Sequence, residues 1–212
     1  MDTLRTFIAT EIPASIRRRI KEHIDQLRTA FPDVRASWTR KDNLHLTLKF
    51  LGDVPVSRIP ALSDAVAEAA HTIDPFDLIV SGCGTFPPHG RPKVLWVGLR
   101  EGTAGILPAS SSQDAGSADV PYASSEHALT ALYRAVEDAC AAAGFEREPR
   151  PYHPHLTIAR LRDSKGSRAL AEQHKEPGFP PQTFTVSELV VFRSELSSQG
   201  SKHSALSRHE LG

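Results

Sequence analysis

The sequence predicts an α+β fold of two pseudo-equivalent lobes that face each other across a cleft. Three observations lead there. Alternation of apolar and polar residues marks strands, as in "NLHLTLKFLG", where Leu44, Leu46 and Leu48 point one way and His45, Thr47 and Lys49 the other. Apolar stripes of helical period are interleaved with those strands. A His-x-Thr-x order at His45 to Leu48 returns at His155 to Ile158 in "YHPHLTIAR", 110 positions later. One such pair in each half is most economically explained by two similar lobes.

The elements follow in order. Thr3 to Thr10 reads as a strand, and Pro13 suits the first position of a helix whose Ile16, Ile20, Ile24 and Leu27 share one face. Pro32 stops it. Strand material runs from Val34 to Trp38, and the His45 strand comes next. A second helix is marked by Ile59, Leu62, Val66, Ala69 and Ile73, closed by Asp74-Pro75. "FDLIVSGCGTF" and "KVLWVGL" form two strands around the turn-rich "PPHGRP". A third helix spans about Glu126 to Ala143, with Leu129, Leu132, Val136 and Cys140 on one stripe and Gly144 as its cap. The His155 strand, a short helix over Gly166 to Lys175, and closing strands in "TFTVSELVVF" and "HSALSRHEL" complete the chain. Thr103 to Ser125, rich in Ala, Ser, Gly and Asp, lacks the apolar area to offset its own ordering and is expected to be a disordered insertion within one domain spanning 1–212.

Composition narrows the function classes. The 212 residues, two tryptophans and nine phenylalanines suit one compact unit, and no apolar run reaches the length of a membrane span. "MDTLRTFIATEIP" has no basic segment followed by an apolar one, so a cytoplasmic location is expected. Cys83 and Cys140 lack C-x-x-C spacing and are expected to be small buried residues. A formal net charge of zero argues against broad coating of nucleic acid and for modest salt dependence. The charge is uneven, however. Basic residues from Arg17 to Lys49 outnumber acids beside the first His-x-Thr, whereas Asp53 to Asp77 holds five acids and only Arg58.

The chemistry that two histidines on facing strands can perform is in-line phosphoryl transfer. Opening a cyclic phosphodiester needs a base on the nucleophile and an acid on the departing oxygen, on opposite sides of phosphorus. An unperturbed imidazole pKa near 6.5 lets one ring serve each role. The threonines project to the same face as their histidines, where a hydroxyl donates to a phosphoryl oxygen. A metal site at His153 and His155 lacks a third ligand at a recognisable spacing, and a serine hydrolase lacks its G-x-S-x-G. His153 reads as a turn residue or an orienting group.

The blocks "RTFIATEIP", "WTRKDNLHLTLKFLGDV", "RPKVLWVGL", "YHPHLTIAR" and "FRSELSSQGSKHSALSRHEL" occur in an order that resembles the 2H phosphoesterase superfamily. Within it the chain looks like the RNA 2′,3′-cyclic phosphodiesterase branch, formerly described as 2′-5′ RNA ligases. The resemblance implies two antiparallel-sheet lobes with outer helices around a central cleft. It also implies hydrolysis of RNA 2′,3′-cyclic phosphate ends to 2′-phosphomonoesters, with 2′-5′ joining as the reverse-type reaction, while the two-histidine logic itself requires no metal or cofactor. His45 would be the proton donor to the leaving 3′ oxygen, His155 the acceptor that activates water, and Thr47 and Thr157 the phosphate holders. Lys49 and Arg160 are candidate substrate contacts. Strict alternation puts Arg160 opposite His155, so a bulge is needed to bring it round. The expected state is a monomer with no obligate protein partner. Two other readings stand beside this one. The first is a non-catalytic nucleotide- or RNA-binding module, and the second a phosphodiesterase for 2′-5′ oligonucleotides, a small cyclic nucleotide or ADP-ribose cyclic phosphate. Phe50, Phe86, Tyr152 and Trp96 are the aromatics in sequence reach for base stacking, with Trp96 expected in the core.

Overall fold

The computed structural model describes residues 2–101, 128–162, 165–197 and 200–212. The expected insertion over 103–125 lies outside them. Among the described residues the strands are β1 (Thr3–Glu11), β2 (Ala36–Trp38), β3 (His45–Pro55), β4 (Phe76–Phe86), β5 (Val94–Glu101), β6 (His155–Leu161), β7 (Gln182–Val186), β8 (Glu188–Ser197) and β9 (Gly200–Glu210). The helices are α1 (Ala14–Ala30), α2 (Ile59–Ala70), α3 (Ala128–Ala142) and α4 (Ser167–Lys175). Two sheets result, one ordered β3-β1-β8-β9 and the other β2-β6-β5-β4-β7, with antiparallel pairing throughout.

Local sequence accounts for the helix limits. Pro13 caps α1 from outside, its carbonyl accepting from Arg17 N–H at 2.9 Å, and the Ile16, Ile20, Ile24 and Leu27 stripe is buried. Phe31 ends the helix because the residue before Pro32 is driven out of helical conformation. Pro60 sits in the first turn of α2, where a missing N–H costs nothing. Gly144 takes the left-handed φ of 79° that closes α3.

The lobes are interleaved along the chain and do not correspond to its two halves. β1, β3, β8 and β9 build one sheet while β2 and β4 to β7 build the other, so the chain crosses between them repeatedly. "TFTVSELVVF" shows this directly, since β7 and β8 lie in different sheets on either side of Ser187. α2 and α3 pack against the first sheet. α4 packs on β4 of the second, and buried His174 joins three elements there: its Nδ1 shares a 2.9 Å hydrogen bond with His23 Nε2 of α1, and its Nε2 donates to the Trp96 carbonyl of β5 at 3.0 Å. Cys140 is buried as expected, whereas Cys83 is only half-buried.

Both motif strands carry an extra residue at the same point. Opposite β1, Thr47 pairs with Ala9 and Lys49 with Ile8, leaving Leu48 unpaired. Opposite β5, Thr157 pairs with Trp96 and Ala159 with Leu95, leaving Ile158 unpaired. One inserted residue reverses the alternation beyond it. Leu48 and Lys49 are therefore both interior and Phe50 is outward, just as Ile158 and Ala159 are interior and Arg160 is outward.

The expectation that Lys49 shares the face of His45 and contacts substrate is thereby corrected. Lys49 is 3% exposed; its ammonium donates to Glu137 Oε1 of α3 and to the Glu146 carbonyl, both at 2.7 Å. The second Glu137 oxygen accepts from Glu148 N–H at 3.1 Å. A buried charge pair satisfied in this way holds α3 to β3 and leaves no charge for the cleft.

Two outcomes follow from this packing. Lys49→Ala leaves the Glu137 carboxylate buried without its cation and is expected to cost about 3–5 kcal/mol in urea unfolding, with most of the loss recovered by Lys49→Met with Glu137→Leu. His174 is held neutral chiefly by burial, its pKa pushed down to about 4. The unfolded chain therefore binds more protons than the folded one between pH about 6.5 and about 4, and stability is lost as pH falls through that window. Urea midpoints are expected to decline over that interval, and less steeply in His174→Gln.

Candidate active site

His45 opens β3 and His155 opens β6, each at the end of its strand that faces the gap between the sheets. Both line one cleft of about 640 Å³ together with Thr47 and Thr157. The structure thus brings together the four residues that the repeated motif singled out. Arg160 joins them because the bulge at Ile158 turns it to the cleft side.

Each imidazole is oriented by its own chain. His155 Nδ1 donates to the His153 carbonyl at 2.7 Å, so Nε2 is the nitrogen left for the cleft. His45 hydrogen-bonds the backbone of Asn43, the same offset of two residues. His153 orients its neighbour through its carbonyl rather than its ring. Each threonine also has its backbone carbonyl held by a side chain: Thr39 Oγ1, just past the end of the adjacent β2, donates to Thr157 O at 2.9 Å, and the Tyr152 hydroxyl to Thr47 O at 3.3 Å. Among the described residues neither threonine hydroxyl has a protein hydrogen-bond partner, which leaves both available to a ligand oxygen.

The surroundings of the two rings differ. His45 lies in an aromatic row across the first sheet, stacked on Phe7 at 4.7 Å between centroids and met edge-on by His203 at 5.2 Å, with Phe192 behind. Burial in that row pushes its pKa down to about 4, the His203 ring adds to the depression, and the Asn43 hydrogen bond opposes it. His155 meets the edge of Phe86 at 5.0 Å. Its pKa is also lowered, first by burial, against the pull of the His153 hydrogen bond, and further by Arg160. Phe86 rests in turn on Trp96 at 5.4 Å, and Trp96 can lie there only because position 84 is glycine: a Cβ would sit 2.1 Å from the indole. Trp96 and Tyr152 are backing residues, whereas Phe50, 47% exposed, lines the cleft with the Arg5 guanidinium 4.8 Å above its ring.

Sequence reasoning missed Phe7, Phe192 and His203 as the box around His45, and Arg5 and Arg162 as cations on the cleft wall, which Arg40 of the basic run beside the first motif also lines. For Arg5, Phe7, Phe192 and His203 the only sequence signal was membership of the first and last quoted blocks, and Arg162 lay in none of the blocks. His203 reaches His45 from β9, on the opposite edge of the sheet from β3, and no spacing along the chain announces that approach. Among the described residues the convergent group of metal-ligand type is His23, Cys83 and His174, away from the cleft; no such group includes His45 or His155.

The likenesses to known proteins agree with this arrangement. The profile of the 2′-5′ RNA ligase superfamily matches residues 13–197. A protein of Geobacillus stearothermophilus named RNA 2′,3′-cyclic phosphodiesterase is 28% identical over 190 residues, 90% of this chain and 52% of that one, so the chain spans about half the length of that relative. One of the same name from Methanothermobacter thermautotrophicus is 28% identical over 202 residues, 93% of each chain. The crystal structure of Escherichia coli LigT complexed with 3′-AMP superposes with a TM-score of 0.67 at 26% identity, covering 99% of both chains. With the superfamily profile running through both His-x-Thr strands and the two strands facing one cleft, the chain belongs to the 2′-5′ RNA ligase superfamily of 2H phosphoesterases.

Proposed function

We propose that the chain hydrolyses RNA 2′,3′-cyclic phosphate ends to 2′-phosphomonoesters by acid–base catalysis between two histidines, without a metal. The observation that carries this reading is the convergence of His45, Thr47, His155 and Thr157 on one cleft, each imidazole oriented by a backbone hydrogen bond two residues back. The names of the two curated relatives support the substrate, and the 3′-AMP in LigT supports a nucleotide-sized cleft.

In the proposed reaction the cyclic phosphate lies between the rings with its non-bridging oxygens on the Thr47 and Thr157 hydroxyls. His155 Nε2 takes a proton from water, whose oxygen attacks phosphorus. The bond from phosphorus to the 3′ oxygen breaks on the opposite side, and protonated His45 delivers its proton to that oxygen. The product is a 2′-phosphomonoester with a free 3′ hydroxyl, and proton exchange with solvent resets both rings. With a 5′-hydroxyl attacking phosphorus in place of water and the same 3′ oxygen leaving, the same groups join RNA through a 2′-5′ bond.

The proposed division of roles takes its support from the charges around each ring. At His45 the chief cause is burial of an uncompensated charge, which an anionic phosphodiester in the cleft offsets, favouring the protonated form. At His155 burial is again the chief cause, and the neighbouring Arg160 cation adds to it, favouring the neutral base. Arg160 also faces the substrate phosphate.

The test is turnover of a short RNA ending in a 2′,3′-cyclic phosphate, with EDTA present, followed by identification of the phosphate position. The wild type is expected to yield a 2′-phosphate. His45→Ala and His155→Ala are each expected to lower kcat by about 10²- to 10⁴-fold, and Thr47→Val or Thr157→Val by a smaller factor. A wild-type protein that binds this RNA and leaves the ring closed would make the cleft a binding module, and the reading would be abandoned.

A further inference from the structure

Beside the catalytic cleft lies a second groove, of about 940 Å³, between the C-terminal end of α1, the segment that follows it, and β2. The two are continuous, because Trp38 and Arg162 line both. The groove wall is cationic. Arg28, Arg35 and Arg162 are exposed on it, and among the described residues none of them is ion-paired with a carboxylate. The one acid on the wall, Asp25, is bound to Lys21. Arg162 is held in place by two hydrogen bonds to Ser37 Oγ, at 2.7 and 3.0 Å. Half-buried Trp38 offers an aromatic surface between the cleft and the arginines.

Resting on the phosphodiesterase reading, we propose that this groove binds the RNA strand on the 5′ side of the cyclic phosphate, with Arg28 and Arg35 on backbone phosphates and Trp38 and Arg162 at the passage from the cleft. The chemistry fits single-stranded RNA in particular. Guanidinium groups that lack carboxylate partners match backbone phosphates, and an aromatic face beside them takes an unpaired base of any identity. The position fits as well. A cyclic phosphate exists only at a 3′ end, so a polynucleotide substrate has a single strand to lead out of the cleft, and here a basic groove begins where the cleft stops. A mononucleotide would fill the cleft alone. The groove therefore makes this chain prefer oligonucleotides over cyclic mononucleotides through KM, without touching the reacting atoms.

The experiment compares a 2′,3′-cyclic mononucleotide with a hexanucleotide carrying the same terminal residue, in the wild type and in Arg28→Ala with Arg35→Ala. The wild type is expected to show a lower KM for the hexanucleotide. The double variant is expected to raise that KM about tenfold with kcat within about twofold, to leave the mononucleotide constants within about twofold, and to flatten the salt dependence of hexanucleotide binding by about 1.4 logarithmic units per tenfold salt, two phosphate contacts' worth. Equal KM values for the two substrates, or a double variant that treats the hexanucleotide as the wild type does, would overturn the groove while the phosphodiesterase reading stands. A wild type that turns over neither substrate would overturn both. Because Arg28 and Arg35 are exposed, far-UV circular dichroism and the urea midpoint are expected to be unchanged, which excludes loss of fold as the cause.

Discussion

The extra residue after each motif threonine is the constraint on which the site depends. A strand alternates its side chains with strict period two, so a run carrying His45 and Thr47 on the cleft side would carry residue 49 there as well. With Leu48 unpaired the phase reverses, and the cleft receives Phe50 in place of Lys49. The same reversal at Ile158 delivers Arg160. The two strands thus present matching pairs of histidine and threonine followed by unlike residues, an aromatic ring on one wall and a guanidinium on the other. A cleft that is symmetric in its histidine and threonine pairs becomes asymmetric in the rest of its lining.

That asymmetry extends behind the histidines. His45 is backed by a row of rings that crosses the first sheet from β3 to β9, and the cost of charging it comes mainly from lost hydration. His155 is backed by Phe86, Trp96 and the space that Gly84 leaves open, and Arg160 faces it. Burial favours the neutral form of both rings. An anionic ligand changes the balance at each by a different amount, so the environments distinguish two groups that the motif alone leaves equivalent.

Much of the fold was legible because its elements are amphipathic in the ordinary way. The Ile16, Ile20, Ile24 and Leu27 stripe, the proline stops and the alternating strands all report burial on one side, and the structure buries them. The division of "TFTVSELVVF" between two sheets was not legible, because Val186 and Leu189 are equally apolar and only their partners, Phe76 and His209, separate them. Lys49 misled for a related reason. Its charge suggested a ligand for phosphate, and its carboxylate partner Glu137 lies 88 positions away on α3.

By itself the sequence determined the two His-x-Thr pairs and the strands that bear them, because side-chain periodicity is a local property, and imidazole acidity pointed to the chemistry proposed for them. Tertiary structure alone decided that the lobes interleave, that Lys49 is interior and Arg160 is not, that Phe7, Phe192 and His203 enclose His45, and that a basic groove continues the cleft past Trp38. Register shifts and contacts across a sheet are set by which strands pair. That choice depends on the free energy of the whole core rather than on any short stretch of chain.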